Sequence, residues 1–543
     1  MIQDPQSLIV RPWVPWLLGL LLMLGVGALQ QGWLAANALP NGHQNEYLHV
    51  GNALDLWQAW AAHDWDALVE LLQGNYWPPG FYLWPWPLFR AFGASHWGMV
   101  TANMGHLALL MAAVFLLGRD LGSRRGGLFA MVGVVLLPAV AGNLMRYEPS
   151  VALTAWVTLG AWALLRSRSF KDWRFSLLFG VVFALGLMMD RLSVFLFLTI
   201  PALLELGMGL REFQESRRRL AIAGGVIVLM LLTVGPWHLD FVELHLHEIT
   251  SQSNIGEIDS AGTLTEQRSW MNWTTWAWYA LAVFDGQAGV WLGLALFAGL
   301  GWSLMRLKTL RVPVVLIVSS LLLFTFILKK QAFYSLPMLG CWVVITCIAL
   351  DRVRFGPWLG LVLALLGGVQ LSDRVWGTQI ELPGATVPAL PEHWVAPRHP
   401  MALPPTLGQV IPAQALLTAL DGGDAGSKIE RIVVFGEDHD WYEGYVLLGL
   451  REGLDARVHG VIGDPQGAME FVGIADRVVV IREHPDAGAW PSESELYALL
   501  AEHHYSEQEV ALLVAAFGSA RSGYERIGEV PWEEGRVVVW GRL

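Results

Sequence analysis

Two acidic residues of this apolar chain fall at the ends of long apolar runs. Glu46 follows the first run in the segment Asn45-Glu46-Tyr47, and Glu148 stands just before the fourth run. Carboxylates are costly at a membrane boundary, so this placement indicates chemistry or binding. A carboxylate there can take a proton from a hydroxyl group as that group attacks an electrophilic carbon. We predict that Glu46 is this base and that Glu148 orients the attacking group.

Each acid also has a plain structural explanation. Glu46 could be an exposed loop residue without a chemical role. Glu148 lies beside Pro149, where a helix opens, so it could complement the helix dipole or pair with Arg146.

A set of basic residues lies against the usual distribution of charge. Lys and Arg collect in the cytoplasmic loops of membrane proteins, yet five of them fall at predicted outer helix ends. These are Arg146, Arg191, Arg268, Lys329 and Lys330. Each one could anchor a helix end or pair with a nearby acid. Together they suit an anionic phosphate, because guanidinium and ammonium groups are natural partners of phosphate oxygens.

The composition predicts the elements that carry these residues. The 543 residues are 54% hydrophobic and 15% charged, with a mean hydropathy of +0.44, which indicates a polytopic membrane protein. The net charge of −12 gives no indication of nucleic-acid binding. We predict a mainly α helix bundle with about eleven spans. The apolar runs are 13–34, 98–118, 126–143, 150–165, 175–189, 192–209, 220–237, 288–305, 312–328, 334–350 and 355–371.

The basic residues of alternate loops predict the orientation. Loops with several Lys or Arg follow the second, fourth, sixth, eighth and tenth runs, which places them in the cytoplasm. This register requires the Trp-rich segment Trp270 to Val283 to lie along the outer interface. The N-terminus is then cytoplasmic, and Glu46, Glu148 and the chain after about residue 372 face outward. We therefore predict a multi-pass protein of the inner (plasma) membrane.

Three regions are predicted along the chain. Residues 1–371 form the transmembrane domain, with large outer loops at 35–97 and 238–287. Residues 372–428 are rich in Pro, Ala and Gly and form a linker. In 429–543, β-branched runs at 431–435, 477–481 and 536–540 alternate with helical patterns, which predicts a soluble, extracytoplasmic α/β domain with a partly parallel sheet.

Four segments carry a resemblance to a known family. They are His43-Gln44-Asn45-Glu46-Tyr47, Asn75-Tyr76-Trp77-Pro78-Pro79-Gly80-Phe81-Tyr82, Arg146-Tyr147-Glu148-Pro149 and the run Lys329-Lys330-Gln331-Ala332-Phe333-Tyr334-Ser335-Leu336-Pro337. In order, spacing and shared outer side they resemble the polyprenyl-phosphate-dependent glycosyltransferases of the GT-C superfamily. The likeness is to the family-39-like branch with protein O-mannosyltransferases and the lipid A aminoarabinose transferase. It covers roughly residues 10–370.

The resemblance implies an activity and its substrates. A sugar would pass from a polyprenyl-phosphate donor to a glycan, lipid or protein acceptor, with inversion of the anomeric centre and membrane lipid around the protein. It adds substrate-binding roles for Tyr47, Tyr76, Tyr82 and Tyr334. The five basic residues Arg146, Arg191, Arg268, Lys329 and Lys330 are predicted to bind the donor phosphate. Two positions depart from the family pattern. Asn45 replaces the leading Asp, which leaves Glu46 as the base, and Trp77-Pro78 replaces a Glu-Lys pair that contacts donor and metal.

Other functions stay open at this stage. His245 and His247, with Glu248 beside them, could bind a divalent metal on an extended segment, although loop histidines are more often plain surface. No cofactor is otherwise indicated. A lipid or sugar transporter would have a similar number of spans, but it should carry charges near the membrane midplane. Asp190-Arg191 is the pair whose depth separates the two functions.

Overall fold

The computed structural model describes residues 13–36, 44–74, 77–190, 193–210, 216–233, 235, 273–326, 332–376, 419–420, 431–436, 457–460, 477–482, 507–532 and 535–542. Helices dominate the part before residue 377. The first nine helices, α1 to α9, are Val14–Ala36, Gln44–Ala61, Trp65–Gly74, Gly80–Leu83, Trp86–Phe92, His96–Leu121, Arg124–Val135, Pro138–Asn143 and Ser150–Ser167.

The described residues of this part form eight further helices. Helices α10 to α17 are Trp173–Leu187, Ser193–Leu210, Ser216–Thr233, Trp273–Ala282, Gly289–Leu304, Leu307–Phe326, Leu339–Arg352 and Gly356–Trp376. A π-helical turn, Val283–Gln287, joins α13 to α14, and a 3-10 helix, Ala332–Met338, leads into α16. Helix α17 continues past the predicted domain end at residue 371.

The membrane character follows from length and hydropathy. Five segments are long and apolar enough to cross a bilayer: Val14–Leu34, His96–Leu121, Ser193–Leu210, Leu307–Phe326 and Tyr334–Arg352. Three shorter apolar helices are Trp173–Leu187, Gly289–Leu304 and Gly356–Val369. Large apolar side chains such as Trp16 and Trp358 are 79% and 70% exposed, as expected of surfaces that face lipid. The predicted membrane helix bundle is confirmed.

Each predicted apolar run coincides with at least one helix, but the third run is broken. Helix α7 ends at Val135 and α8 begins at Pro138, where proline occupies the first helical position. Proline is favoured there because its missing N–H group has no helical partner at that position. After the break, the buried helix α8 ends at Asn143, just before the segment that contains Arg146 and Glu148.

The chain divides into two compact units. One comprises Met1–Trp33, Asp55–Phe92 and Trp97–Pro404, and the other comprises Leu34–Leu54, Gly93–His96 and Pro405–Leu543. The described helices of the bundle lie mostly in the first unit. The first helical residues of α2, including Glu46, belong to the second.

The C-terminal region contains a five-stranded sheet. Its strands β1 to β5 are Arg431–Gly436, Arg457–Gly460, Arg477–Arg482, Tyr524–Trp532 and Gly535–Arg542, in the spatial order β2-β1-β3-β5-β4. Strand β1 pairs in parallel with β2 and β3, whereas β5 pairs antiparallel with β3 and β4. Helix α18, Glu507–Ala520, precedes β4. The predicted α/β domain with a partly parallel sheet is confirmed.

Candidate active site

The structure places only part of the predicted site. Glu46 and Tyr47 lie in the first turn of α2, and their side chains fall outside the described part. Several other predicted residues also lie outside the described residues: Tyr76, Arg191, His245, His247, Arg268, Lys329 and Lys330. The described members are Tyr82, Arg146, Glu148 and Tyr334. All four belong to the first compact unit.

The predicted Pro-Pro-Gly turn packs against the backbone of another helix end. Pro78 and Pro79 lead into the short helix α4, which begins at Gly80. A Cβ atom on Gly80 would lie 2.5 Å from the carbonyl oxygen of Met188, just after α10. Only glycine permits this approach. The turn is therefore fixed against the corner that leads from α10 to Asp190.

The Arg146-Tyr147-Glu148 segment is buried between α8 and α9. Arg146 is 1% exposed, Tyr147 0% and Glu148 4%. Helix α9 begins at Ser150, with Pro149 as the preceding residue. A buried guanidinium and a buried carboxylate are expensive and persist only in a polar environment that stabilises them. Their burial distinguishes this segment from an ordinary surface turn.

Two buried amides hold the main chain of this segment. Asn103, on α6, donates from Nδ2 to the carbonyl oxygen of Arg146 at 2.5 Å. Gln30, on α1, donates from Nε2 to the carbonyl oxygens of Leu144 at 2.5 Å and Val100 at 3.1 Å. Both side chains are 0% exposed. We call Gln30 and Asn103 the amide clamp, because they tie the Leu144–Arg146 backbone to two separate helices.

A column of stacked rings connects the two predicted motifs. Tyr147 stacks on Phe81 with a centroid distance of 4.5 Å, and its hydroxyl donates to the Phe81 carbonyl oxygen at 3.0 Å. Phe81 also stacks on His106 at 6.1 Å, and His106 stacks on Trp84 at 4.4 Å. Trp84 Nε1 donates to the carbonyl oxygen of Ala102 at 2.9 Å. The column joins the Pro-Pro-Gly turn and the Arg146–Glu148 segment to one face of α6.

Tyr147 stays protonated in this position. Burial raises the pKa of its phenol well above the ordinary value, and the nearby Tyr82 raises that pKa further. A neutral hydroxyl is needed to donate to the Phe81 carbonyl. Tyr82 is itself only 1% exposed, so the aromatic side of the site is closed to solvent.

Tyr334 lies on the 3-10 helix that packs against α9. Its ring stacks on Phe324 of α15 at 5.7 Å, and it is half-buried. The neighbouring Ser335 hydroxyl accepts a hydrogen bond from Gln287 Nε2 at 2.6 Å. Thus the fourth predicted motif approaches the helix that begins beside Glu148. Gln287, in the π-helical turn, was not predicted from the sequence.

Asp190 lies in the corner after α10 and not within a helix. It is 8% exposed and accepts a hydrogen bond from Ser193 Oγ at 2.5 Å. A carboxylate of a transport path would be expected near the middle of a span. The position of Asp190 does not match that expectation.

A metal site is not evident in the described residues. No group of three His, Cys, Asp or Glu side chains in the described ranges could hold a metal ion. The predicted ligands His245 and His247 lie outside those ranges. They stay a prediction.

The amide clamp and His106 were missed by sequence reasoning. Gln30, Asn103 and His106 are polar residues within two apolar runs, and hydropathy predicts each run as a membrane helix. The sequence signal that could have found them is the free-energy cost of a polar side chain inside a span, because such a side chain needs a hydrogen-bond partner. Asn103 and His106 are three residues apart on α6, so they share a face.

Comparison with known proteins reveals a shared fold. No protein-family model and no curated protein sequence matches the chain. Among solved structures, ArnT from Cupriavidus metallidurans in the apo state is similar, with 14% identity and a TM-score of 0.54 over 96% of this chain and 97% of that one. The same protein bound to undecaprenyl phosphate gives 14% identity and a TM-score of 0.54, over 98% of each chain.

A more distant likeness involves the oligosaccharyltransferase of Archaeoglobus fulgidus in complex with Zn and sulfate. The identity is 12% and the TM-score 0.46, over 85% of this chain and 65% of that one. At 14% identity the ArnT comparison shows a shared fold, which is the GT-C membrane fold that the resemblance of the four motifs implied.

Proposed function

We propose that this GT-C-fold protein is an integral-membrane glycosyltransferase that moves a sugar from a polyprenyl-phosphate donor to an extracytoplasmic acceptor. The acceptor is a glycan, a lipid or a protein. The observation that carries the proposal is the packing of two predicted motifs into one buried unit. Phe81 of the Pro-Pro-Gly turn is stacked on and hydrogen-bonded by Tyr147 of the Arg146–Glu148 segment.

The likeness to ArnT supports the donor class. That protein was solved bound to undecaprenyl phosphate, and it shares the fold over nearly its full length. In our proposal Arg146 stabilises the phosphate that leaves the sugar, with Arg191, Arg268, Lys329 and Lys330 as further cationic groups. Cations near a developing phosphate charge act on the transition state more than on the bound donor. Tyr47, Tyr76, Tyr82 and Tyr334 complete the proposed substrate contacts.

Glu46 is the proposed base. The carboxylate takes the proton of the acceptor hydroxyl as the hydroxyl oxygen attacks the anomeric carbon and the bond to the phosphate oxygen breaks. Glu148 orients the acceptor. A single displacement of this kind inverts the anomeric centre, which an NMR assignment of donor and product checks.

The decisive experiment compares two glutamates of the same outer loop. Mass spectrometry of cell-envelope glycans from a deletion strain first identifies the missing sugar. Transfer of that sugar is then measured with full-length protein in proteoliposomes. Glu46→Gln should lower the rate about 10²- to 10⁴-fold, as expected on loss of a general base.

Glu70→Gln is the matched control, because Glu70 is an exposed acid on α3 of the same loop. It should transfer at the wild-type rate. Full activity of Glu46→Gln would remove Glu46 from the mechanism. A deletion strain with unchanged envelope glycans and glycoproteins would count against the transferase as a whole.

The transporter alternative makes a different prediction. A flippase would move a polyprenyl-linked sugar across the bilayer without breaking its glycosidic bond. The corner position of Asp190 gives that function no support. Intact donor appearing in the opposite leaflet of proteoliposomes, without sugar transfer, would favour the transporter.

The proposal also includes a divalent metal ion and a membrane orientation, and each is tested separately. A divalent ion at His245 and His247 would be detected by metal analysis of the purified protein. Cysteine labelling from each side of the membrane checks the proposed cytoplasmic N-terminus and outer C-terminal domain.

A further inference from the structure

An apolar groove lies on the helix bundle, apart from the candidate active site. Its volume is about 350 Å³, within the range of pockets that hold small molecules. Helices α7, α14, α16 and α17 form its walls. The residues that line it include Phe129, Cys347, Leu350, Pro357 and Gly360.

An apolar groove in a bilayer is not selective by itself. Lipid tails are as apolar as the groove, so burial of an acyl chain there releases little free energy beyond close packing. A specific occupant must be selected by a polar group at one end of the groove. The inner wall of the groove gives no such group except the Thr346 hydroxyl, which donates to the Trp342 carbonyl within α16.

The turn at one end of the groove contains two arginines. Leu350 and Pro357 both line the groove, and the turn between them contains Arg352 and Arg354. Both arginines are exposed, and neither forms an ion pair with a described residue. The guanidinium of Arg354 lies 5.7 Å from the centroid of the exposed Phe355 ring.

Asp351, the acidic residue of the same turn, is already hydrogen-bonded to other residues. Asp351 accepts hydrogen bonds from the Ser123 hydroxyl, at 2.5 Å, and from Arg125. It therefore neutralises Arg125 of α7 and leaves the turn with the two positive charges of Arg352 and Arg354.

The turn itself is well defined. Val353 N donates to the Leu350 carbonyl oxygen at 3.1 Å, and Gly356 N donates to the Val353 carbonyl oxygen at 2.9 Å. A Cβ atom at Gly356 would lie 1.6 Å from the Leu350 carbonyl oxygen, so glycine is required. The arginines are thus held at a fixed place beside the groove.

We propose that this groove binds one acyl chain of an anionic phospholipid whose phosphate contacts Arg352 and Arg354. Charge complementarity identifies the occupant, since two guanidinium groups that pair with no acid of the described ranges lie beside an apolar groove and match an anionic headgroup and its tail. This site is distinct from the proposed transferase activity and does not depend on it.

The polyprenyl donor is the main competing occupant, and its geometry is less suitable. Helix α16 runs from Leu339 to Arg352, about 20 Å at 1.5 Å per residue. The 3-10 helix before it packs against α9, which begins beside Glu148. A phosphate held near Glu148 therefore lies across α16 from Arg352. The end of the groove beside Arg352 is therefore separated from that phosphate by the length of α16.

Native mass spectrometry of the full-length protein tests the site. The detergent-solubilised protein is titrated with dioleoyl phosphatidylglycerol and, separately, with dioleoyl phosphatidylcholine. The first phosphatidylglycerol should bind more tightly than phosphatidylcholine. Arg352→Gln with Arg354→Gln should weaken that first site on the order of 25-fold, about fivefold for each arginine near a phosphate.

A second variant fills the groove. A Cβ atom on Gly360 meets only Phe129 Cε2, at 4.0 Å, so Gly360→Met places its side chain in the open space. This variant should weaken both lipids at the first site. Gly301→Met is its control, because nothing lies within 4 Å of a Cβ there and Gly301 is exposed. Melting in detergent verifies that each variant is folded, and Ala364→Met replaces Gly360→Met if needed.

Arg217→Gln with Arg218→Gln is the control for charge. These exposed arginines lie in the first turn of α12, away from the groove residues in the sequence. An equal loss in both double variants would overturn the proposal in favour of a general surface potential. Unchanged binding in Gly360→Met would exclude the groove. If Gly360→Met weakened undecaprenyl phosphate more than phosphatidylglycerol, the occupant would be the donor tail instead.

Discussion

The two ends of the helix bundle hold their charged residues in different ways. Beside Arg146 and Glu148, neutral amides of Gln30 and Asn103 bond the main chain. At the basic loops, the carboxylates themselves are bound. Glu205 accepts from the Ser169 hydroxyl at 2.6 Å and from Arg311, and Asp351 accepts from Arg125 and the Ser123 hydroxyl.

This difference suggests that the bonds at the basic loops stabilise the fold, whereas those at the candidate site position side chains. A carboxylate bound by arginine and serine has its acceptor sites used in structural bonds. The Glu205 pair also holds a strained turn, because Arg168, Ser169 and Phe170 have left-handed φ angles of 52°, 56° and 64°. At the candidate site the clamp fixes the backbone of the Leu144–Arg146 segment, which places the side chains that follow it. The comparison predicts that equivalent substitutions at the two ends have different effects.

Glutamate-to-glutamine changes should give the largest contrast. Glu148→Gln should reduce sugar transfer about 10²-fold, because a neutral amide holds the acceptor hydroxyl less firmly in place than a carboxylate does. Its melting temperature should stay near wild type. Glu205→Gln should instead destabilise the protein by about 2 kcal/mol, a value lowered from that of fully buried pairs because Arg311 is 31% exposed. Activity per folded molecule should not change. Proteoliposome assays and thermal melts check both, and reversed results would break the comparison.

Removal of one arm of the amide clamp should have an intermediate effect. Asn103→Leu leaves the buried Arg146 carbonyl without its donor, which should cost about 1–3 kcal/mol. A displaced Arg146 should also lower transfer about tenfold. Thr158→Val is the control, since the Thr158 hydroxyl donates to the Thr154 carbonyl within α9 and does not contact the Leu144–Arg146 backbone among the described hydrogen bonds. Gln30→Leu combined with Asn103→Leu should cost less than the sum of the single changes, because both hold one segment. Strict additivity would mean that the two amides act independently.

Tyr147→Phe should have the smallest effect and sharpens the role of the ring column. The phenylalanine keeps the stack on Phe81 but loses the 3.0 Å hydrogen bond, which should cost about 1 kcal/mol. Because burial raises the pKa of Tyr147 in the folded protein, its contribution is complete below the unfolded value of about 10 and is lost as pH rises further. The stability difference between wild type and variant should therefore shrink above pH of about 10. A constant difference in alkaline melts would contradict the raised pKa of Tyr147 in the folded protein.

The C-terminal sheet shows which strands a sequence reveals. The β-branched runs predicted at 431–435, 477–481 and 536–540 correspond to β1, β3 and β5. These are the three inner strands of the order β2-β1-β3-β5-β4. The two edge strands were not predicted. Strand β2 has only four residues, and β4 contains Gly528 and Pro531, residues that central strands avoid. An edge strand has one free side, so its sequence need not show a continuous apolar pattern.

The broken third span shows the same limit within the bundle. Hydropathy predicted one helix over 126–143, and the chain instead forms α7 and α8 with Pro138 between them. The proline indicated a break in hindsight. What it could not indicate is that the segment after α8 is buried beneath α1 and α6.

The sequence by itself determined the membrane class, the apolar runs and the four motifs, because hydropathy and charge act locally along about 20 residues of a span. The tertiary structure alone decided which polar side chains meet. Asn103 and the Arg146 carbonyl are 43 residues apart, and Gln30 and the Leu144 carbonyl are 114 apart. Such bonds depend on how helices cross and pack, and no local pattern encodes that geometry.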